Sequence, residues 1–172
     1  MPIEVTTWYL EMLSPEQLRP KAANQPDLRI EQAKIPCPEL SRFLYTSVGR
    51  DWYWRDRLPW TDVQWMEYLD RPQVQTWLAL LAGTPAGYIE LEAKPDGSVE
   101  IAYFGLLKQF MGQRLGGHLL SVGTAKAWEM NATRVWVHTC SLDSPYALAN
   151  YQARGFQIYH QEVHTQEISE SG

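Results

Sequence analysis

Short runs of apolar or alternating residues, each bounded by turn-forming residues, predict a series of strands. The three runs in the middle of the chain are separated only by Gly83-Thr84-Pro85 and Pro95-Asp96-Gly97. Turns this short join antiparallel neighbours, so the middle of the chain predicts a three-stranded meander. The predicted strands span residues 6–13, 74–82, 86–93, 99–107, 134–140 and 156–163.

Helical patterns occupy the intervals between these strands. Thr61 is a good N-cap, and apolar residues follow it at helical spacing. Another helix is predicted from Ser144 to Gly155, because serine followed by proline favours a helix start and glycine favours its end. The proline-rich residues 20–38 are instead predicted to be irregular or to contain a strand. The predicted helices span residues 37–49, 61–69, 117–130 and 144–155, with a short helical start at residues 14–17.

A glycine-rich loop separates the last meander strand from the helix that follows it. The apolar run 101–107 leads into a loop that holds Gly112, Gly116 and Gly117, and an amphipathic helix pattern begins straight after. Glycines let the backbone approach a ligand closely, while the first amides of a helix and its dipole attract an anion. The loop therefore predicts a pocket for the diphosphate of a nucleotide-like cofactor.

The order of the elements decides the fold class. A strand and two helices precede the meander, and helix, strand, helix and strand follow it. This order predicts a single α+β domain with a mixed, mostly antiparallel central sheet flanked by helices. A Rossmann fingerprint would follow the first strand of a repeated βαβ series, and a Walker loop would carry Gly-Lys-Ser or Gly-Lys-Thr. The sequence has neither.

Composition excludes several classes of protein. The chain of 172 residues suits one domain, and its net charge of −5, without a basic stripe, argues against nucleic-acid binding. Cys37 and Cys140 lie far apart without a surrounding His or Cys cluster, which predicts reduced thiols and no metal site. Without a secretion signal or a membrane-length apolar run, we expect a cytoplasmic protein with no membrane partner. The polar residues 164–172 are predicted to form a flexible tail.

Tryptophan is unusually abundant, with eight residues in the chain. Four of them, Trp52, Trp54, Trp60 and Trp65, fall within fourteen positions. They either pack a heavily aromatic core or wall a substrate cleft, since large rings with one polar edge suit sites that are partly wet. The sequence leaves both interpretations open.

Two segments carry partial motifs in the context of this element order. Residues 111–116 follow the pattern Gln/Arg-x-x-Gly-x-Gly/Ala at the final glycine, while Met111 and Arg114 depart from it. Residues 144–156 follow the pattern Asn-x-x-Ala-x-x-x-Tyr-x-x-x-Gly-Phe, with Ser144 where asparagine is usual. Through these two motifs, at this separation, the sequence resembles the GNAT superfamily of N-acetyltransferases.

The resemblance covers residues 74–163 and implies acetyl-CoA as the donor, with direct transfer to an amine and no covalent acyl-enzyme. Direct transfer requires an amine that has lost its proton, a donor to the developing oxyanion and an acid for the departing thiolate. Tyr151 is the expected acid by its place in the motif, since a phenol is protonated at neutral pH; the alternative is a ring that only packs in its helix. The cofactor contacts that the resemblance implies are Phe104, Leu106, Leu107, Met111, Gly112, Gln113, Arg114, Leu115, Gly116, Gly117, Ser144 and Tyr151.

Two residues near the loop carry open structural questions. Gly105 lies in the strand before the loop and predicts a bulge or a close ligand approach, unless it makes room for a neighbouring side chain. Arg114 replaces a glycine, so its amide is expected to face the diphosphate if its φ stays negative. Its guanidinium is expected either to pair with a phosphate or to point to solvent.

The general base is open between several side chains. Glu100, at the start of the strand before the loop, is the first choice, acting directly or through water; otherwise it is a solvated carboxylate. Glu90 and Glu92 share one face of the adjacent strand and are alternatives. His138 is another, because a neutral imidazole suits a base near pH 7.

The acceptor is expected between the first helices and the far end of the sheet. Arg55 or Arg57 would favour an acceptor with a carboxylate, whereas Asp51, Asp56 and Asp62 would attract a cationic one. The expected substrate residues are Trp52, Trp54, Arg55 and Trp60.

These observations together predict an acetyl-CoA-dependent N-acetyltransferase that acts on a primary amine of a small molecule or peptide. A homodimer is compatible with this prediction. One alternative is a GNAT-like protein that binds acyl-CoA without turnover. Another is a transferase that uses a longer acyl chain or an oxygen acceptor.

Overall fold

Seven strands form one mixed sheet in the computed structural model, which describes residues 1–168. The strand order is β2-β3-β4-β5-β6-β1-β7, and every neighbouring pair is antiparallel except β5 and β6. The strands are β1 Pro2–Met12, β2 Leu28–Gln32, β3 Val74–Leu81, β4 Thr84–Ala93, β5 Ser98–Leu106, β6 Arg134–Cys140 and β7 Gln157–Glu167. The helices are α1 Pro38–Gly49, α2 Asp62–Leu69, α3 Leu115–Trp128 and α4 Ala147–Ala153, with single 3-10 turns at Pro15–Gln17 and Lys108–Phe110.

The centre of the sheet is buried on both faces. On β4, Ile89 packs into the core shared with α3, while Tyr88 points to the other face and packs with Leu44 and the rest of α1. A Cβ placed at Gly123 of α3 would lie only 2.5 Å from Ile89 Cδ1, so this glycine lets the helix approach the sheet closely. The helices therefore form two layers on the two faces of the sheet.

The parallel strands β5 and β6 pair over only a short distance. Their register runs from Ser98 opposite Arg134 to Glu100 opposite Trp136, and no further pair follows in the described residues. A β-bulge in the pairing with β4 leaves Ala102 of β5 without a register partner immediately after this point. The two strands therefore part, and a cleft opens between them.

The bulge lies at Ala102, and the prediction of a bulge at Gly105 is wrong. Gly105 keeps regular register with Tyr88. A Cβ at Gly105 would lie 2.5 Å from Val48 Cγ1, so the glycine makes room for α1.

The N-terminal strand lies inside the sheet. β1 pairs antiparallel with β6 on one side and with β7 on the other, which makes β7 the edge strand. β7 continues to Glu167, where it faces Pro2, so residues 164–167 of the expected tail are paired; residues 169–172 lie outside the described residues. The side chains of β7 are mostly exposed on both faces, which explains why hydrophobic periodicity underestimated its length.

Two local predictions differ from the structure. The turn between β3 and β4 is Ala82-Gly83, both with positive φ, as a two-residue hairpin turn between twisted strands requires; Thr84 already belongs to β4. The last helix begins at Ala147 rather than at Ser144, which instead lies in a turn where its Oγ accepts from the Tyr146 amide at 3.3 Å.

Residues 17–23 form a strap across α3 and α4, on the way from β1 to β2. The amides of Arg19, Lys21 and Ala23 donate in turn to the Arg154 carbonyl (2.8 Å), to Ser121 Oγ (2.8 Å) and to His118 Nδ1 (3.2 Å). The strap thereby fixes Lys21 beside the N-terminal turns of α3.

A buried ion pair holds the connection between α1 and α2 against β4. The Arg57 guanidinium, only 7% exposed, donates to both carboxylate oxygens of Glu90 at 2.8 and 2.7 Å, and Tyr68 donates to the same carboxylate at 2.8 Å. Burial alone would lower the pKa of Arg57, but the Glu90 carboxylate outweighs it and raises the pKa. The guanidinium carbon lies between 4.2 and 5.4 Å from the ring centroids of Trp60, Trp65, Tyr68 and Tyr103.

Removing one partner of this pair leaves a buried, unpaired charge. Glu90→Gln is therefore expected to lower the free energy of unfolding by about 3–5 kcal/mol, measured by urea denaturation at neutral pH. The double variant Arg57→Met/Glu90→Leu is expected to lose less stability than Glu90→Gln, because neither charge remains. The matched control Glu92→Gln breaks a more exposed pair with Arg71 and is expected to cost about 1 kcal/mol or less. If Glu90→Gln lowered the free energy of unfolding no more than Glu92→Gln does, the result would contradict the structural role of the buried Arg57–Glu90 pair.

Candidate functional site

Two connected cavities lie where β5 and β6 part. The larger one, of about 510 Å³, lies against the glycine loop and the start of α3 and is called the loop cleft here. The other, of about 310 Å³, lies between the sheet and residues 52–57 and is called the sheet cavity. Trp52, Phe104 and Asp143 line both, so the two cavities meet at these residues. A third cavity, of about 300 Å³ near residues 32–37, shares no lining residue with them.

The polar end of the loop cleft is built by the backbone of the loop and of the first turn of α3. The first amides of a helix have no partner within it, and the first residues of α3, Leu115, Gly116 and Gly117, line the cleft. A Cβ at Gly112 would meet no atom within 4 Å, and one at Gly116 would make only ordinary contacts. Tight packing against protein is therefore not the reason for glycine at these two positions. The cleft is therefore suited to a bound anion.

Arg114 adopts a left-handed backbone, with φ of 64° and ψ of 20°, immediately before α3. The negative φ on which the expected role of its amide depended is therefore not present. A glycine adopts this conformation without steric cost, whereas the Cβ of any other residue is disfavoured in it. This conformation explains physically why the pattern Gln/Arg-x-x-Gly-x-Gly/Ala has a glycine at the position of Arg114. The Arg114 residue nevertheless lines the cleft.

The other end of the loop cleft is apolar and is formed by β5. Phe104 and Leu106 line it, as expected, together with Gly105. Leu107 is not among its lining residues, and its amide donates to the Ala86 carbonyl at 2.8 Å, so this amide is already bonded. Gln113 is also absent from the lining within the described part of the chain. Met111 and Ser144 line the cleft, as expected.

The sheet cavity has aromatic walls on the side of the connection between α1 and α2. Trp52, Trp54 and Arg55 line it, and the Trp54 ring packs 4.9 Å from that of Tyr103. Trp60, expected at the acceptor, lines neither of the two cavities; it packs 4.9 Å from Trp65 beside the guanidinium of Arg57. Trp60 and Trp65 therefore pack in an aromatic cluster, whereas Trp52 and Trp54 line a cavity.

The acidic candidates for the general base differ in their partners. Glu90 is 1% exposed and accepts from Arg57 and Tyr68, so it is structural. Glu92 is bonded to Arg71 at 2.5 Å and to Lys94 at 2.6 Å, and these bonds lower its pKa against the raising effect of burial.

Glu100 and His138 both line the sheet cavity. Lys94 Nζ lies 3.0 Å from one oxygen of Glu100, and His138 Nδ1 lies 3.7 Å from the other. Both contacts fix the carboxylate of Glu100 beside the imidazole. The imidazole of His138 is half exposed.

Tyr151 is buried beside the parting strands. It is 3% exposed and lines the sheet cavity, with its ring 6.0 Å from that of Phe104. Burial, and next the nearby charge of Asp143, raise the pKa of the Tyr151 phenol well above its ordinary value. The hydroxyl therefore stays protonated at neutral pH, which a hydrogen-bond or proton donor requires.

Asp143 was not anticipated from the sequence. Its carboxylate accepts from Thr139 Oγ1 at 2.8 Å and from the Ser144 amide at 2.9 Å, and burial nevertheless raises its pKa. The sequence does show an acidic residue just after the carboxyl end of β6. Asp143 lines the two cavities only because β5 and β6 part there.

No group of three or more His, Cys, Asp or Glu side chains in residues 1–168 is arranged to hold a metal ion. No helix in that part of the chain is long and apolar enough to cross a membrane.

Comparison with known proteins gives a family match. A family model described as the acetyltransferase (GNAT) family matches residues 41–156. A GCN5-related N-acetyltransferase from Kribbella flavida is similar over 93% of this chain and 56% of its own (19% identity, TM-score 0.67). One from Sphaerobacter thermophilus is similar over 96% and 52% (18% identity, TM-score 0.67). An IAA acetyltransferase from Bacillus cereus ATCC 14579 is similar over 77% and 79% (22% identity, TM-score 0.59).

The likeness to these solved structures concerns the fold alone, because the identities are low. The chain spans only about half the length of the Kribbella and Sphaerobacter proteins. No protein of curated function matches the chain.

The left-handed backbone at Arg114 predicts a stabilising substitution. Arg114→Gly is expected to raise the free energy of unfolding by about 1 kcal/mol, because glycine removes the steric cost of this conformation. The matched control Gln113→Gly, at a neighbour without positive φ, is expected to be destabilising. Urea denaturation of both variants measures the effect, and a loss of stability in Arg114→Gly would contradict it.

Proposed function

The chain belongs to the GNAT family of acetyltransferases, and from that premise we propose that it is an acetyl-CoA-dependent N-acetyltransferase acting on a primary amine. The proposed acceptor is a small molecule or a peptide. The observation that carries the proposal is the junction of the loop cleft with the sheet cavity at Trp52, Phe104 and Asp143. One cavity suits an anionic cofactor and the other an acceptor, and they meet beside Tyr151.

The residues of the loop cleft fit coenzyme A. The amides at the start of α3 and the open backbone of Gly112 suit a diphosphate, and the apolar surface of Phe104 and Leu106 suits the pantetheine arm. When bound, acetyl-CoA supplies an acetyl group activated as a thioester. The parted backbone of β5 beyond Glu100 provides groups that can bond the arm and the acetyl carbonyl.

We propose Asp143 as the general base. Its carboxylate lies at the junction of the two cavities, and its raised pKa makes it a better proton acceptor than an ordinary aspartate. Glu100 remains the second candidate, acting through water or together with His138. Its ion pair with Lys94 occupies one carboxylate oxygen and argues for a role in orienting the acceptor.

Tyr151 is the proposed donor to the departing sulfur. The phenol is protonated at neutral pH and is held by packing against Phe104 and Phe156. Burial raises the pKa of a thiol in the same dry site as well, so the proton affinities of the two groups move in the same direction. The alternative role, ring packing alone, predicts no effect of removing the hydroxyl.

The charges around the sheet cavity favour a cationic acceptor. Arg57 is bound to Glu90 and is not available to an acceptor carboxylate. Asp56 lines the cavity together with the aromatic rings of Trp52 and Trp54, whereas Glu92 and Glu100 are already paired with Lys94. An amine beside carboxylates and aromatic faces is favoured by charge and by cation–π contact.

The first experiment separates an enzyme from a binding protein that lacks turnover. Acetyl-CoA at millimolar concentration is expected to raise the melting temperature of the chain, since a ligand of the native state stabilises it. Release of free CoA thiol with a panel of primary amines is then expected for at least one cationic amine. A melting shift without thiol release for any amine would favour the non-catalytic alternative, and the absence of a shift would refute the proposal.

Removing the Tyr151 hydroxyl tests its role as a donor. Tyr151→Phe is expected to lower kcat by about 100-fold with little change in KM for acetyl-CoA, because the hydroxyl acts on the leaving group. The control is Tyr159→Phe on the exposed edge strand β7, which is expected to keep full turnover. Unchanged kcat in Tyr151→Phe, with chemistry rate-limiting, would show that the ring only packs.

The pH dependence distinguishes the two base candidates. The base must be deprotonated, so the rate falls on acidification, and the raised pKa of Asp143 puts this fall above the pH of an ordinary aspartate, about 3.9. Asp143→Asn is expected to lower kcat/KM by about 100-fold and to abolish this acid limb. Glu100→Gln is expected to keep the limb. The reverse pattern would assign the base to Glu100.

A further inference from the structure

Two cations lie together beside the first turn of α3. A Cβ placed at Gly117 would lie 3.0 Å from Lys21 Cδ and 3.1 Å from Arg154 Nη1, so both side chains pack over this glycine. Lys21 comes from the strap of residues 17–23 and Arg154 from the end of α4, and Gly117 and Lys21 both line the loop cleft. Lys21 therefore lines the cleft itself, and Arg154 lies next to it over Gly117, although Arg154 is not one of the described lining residues.

These cations have no anionic partner among residues 1–168. Neither Lys21 nor Arg154 forms an ion pair within residues 1–168. Nε and Nη1 of Arg154 are buried and have no hydrogen-bond partner among the described residues. A buried guanidinium without a partner is costly, and the positive end of the α3 dipole beside it increases that cost. An anion bound beside Lys21 and Arg154 would offset the charge of the guanidinium and that of the helix dipole.

The strap holds Lys21 in this position through its backbone. The Lys21 amide donates to Ser121 Oγ at 2.8 Å, and the strap is bonded on either side, by Arg19 to the Arg154 carbonyl and by Ala23 to His118. A Cβ at Gly155 would lie 2.1 Å from the Gln17 carbonyl, so the strap lies directly on the end of α4. The cationic side chain is therefore presented by an anchored segment.

The position of the pair relative to the loop selects the phosphate. A diphosphate at Gly112 and the first α3 amides is served by backbone donors, and the arm leads from there toward Phe104. The nucleotide end of the same molecule must leave the loop in the direction away from Phe104. The phosphate that coenzyme A carries at this end is the one on the ribose 3′ oxygen.

We propose that Lys21 and Arg154 bind the ribose 3′-phosphate of coenzyme A and select it over 3′-dephospho-CoA. This inference rests on the proposed function, because it assumes that the loop cleft holds coenzyme A. The specificity comes from charge-assisted bonds that only the 3′-phosphate can accept. The N-terminal segment before β2 thereby becomes part of the cofactor site.

Calorimetric titration of the full chain with CoA and with 3′-dephospho-CoA tests the inference. The unsubstituted chain is expected to bind CoA at least about tenfold more tightly than 3′-dephospho-CoA. Hydrogen bonds between charged groups contribute that much affinity or more. Lys21→Gln is expected to lower the affinity for CoA about tenfold and to change the affinity for 3′-dephospho-CoA by no more than about twofold. Arg154→Gln is expected to act in the same direction. The control Lys34→Gln removes an exposed lysine outside the loop cleft and is expected to change neither affinity.

The outcomes separate this inference from the proposed function. Equal affinity of the natural sequence for the two ligands would overturn the 3′-phosphate assignment while leaving acetyl transfer intact. Equal weakening of both ligands by Lys21→Gln would place Lys21 at the diphosphate and would likewise overturn it. Failure of the natural sequence to bind either ligand would refute the proposed function itself.

Discussion

The parting of β5 and β6 is the constraint on which the site depends. Parallel pairing ends at Glu100 and Trp136, and the bulge at Ala102 turns β5 away from β6. From Val135 to Cys140, β6 instead pairs with the N-terminal strand β1, which fixes the conformation of β6 while its other edge is open. A row of backbone groups in a cleft is thereby available to a ligand, although a continuous sheet would have bonded them internally.

Each side of this cleft is closed by a different kind of interaction. On the side of the sheet cavity, the buried Arg57–Glu90 pair and its surrounding rings hold the connection between α1 and α2 against β4. On the side of the loop cleft, the glycine loop, α3 and the strap bring positive charge and the first amides of a helix together. A chain with a net charge of −5 can therefore present an anion site, because the field that matters is local.

Much of the local structure followed from the sequence. The meander, the helix after the glycine loop and the N-cap at Thr61 were predictable because turn residues and caps act within a few positions. The GNAT assignment, now supported by the family match over residues 41–156, rested on two such local motifs. The length of β7 and the start of α4 were predicted less well, since exposed strands lack periodicity and serine can cap a turn as readily as a helix.

The sequence by itself determined the element types, the fold class and the loop beside α3, because periodicity and turn chemistry act between near neighbours. Only the tertiary structure decided that β1 lies between β6 and β7, that Arg57 is bound by Glu90, and that Asp143 and Lys21 reach the cleft. These facts depend on contacts between residues far apart in the chain. Such contacts are selected by burial and by hydrogen-bond satisfaction across the whole domain, which a local pattern does not encode.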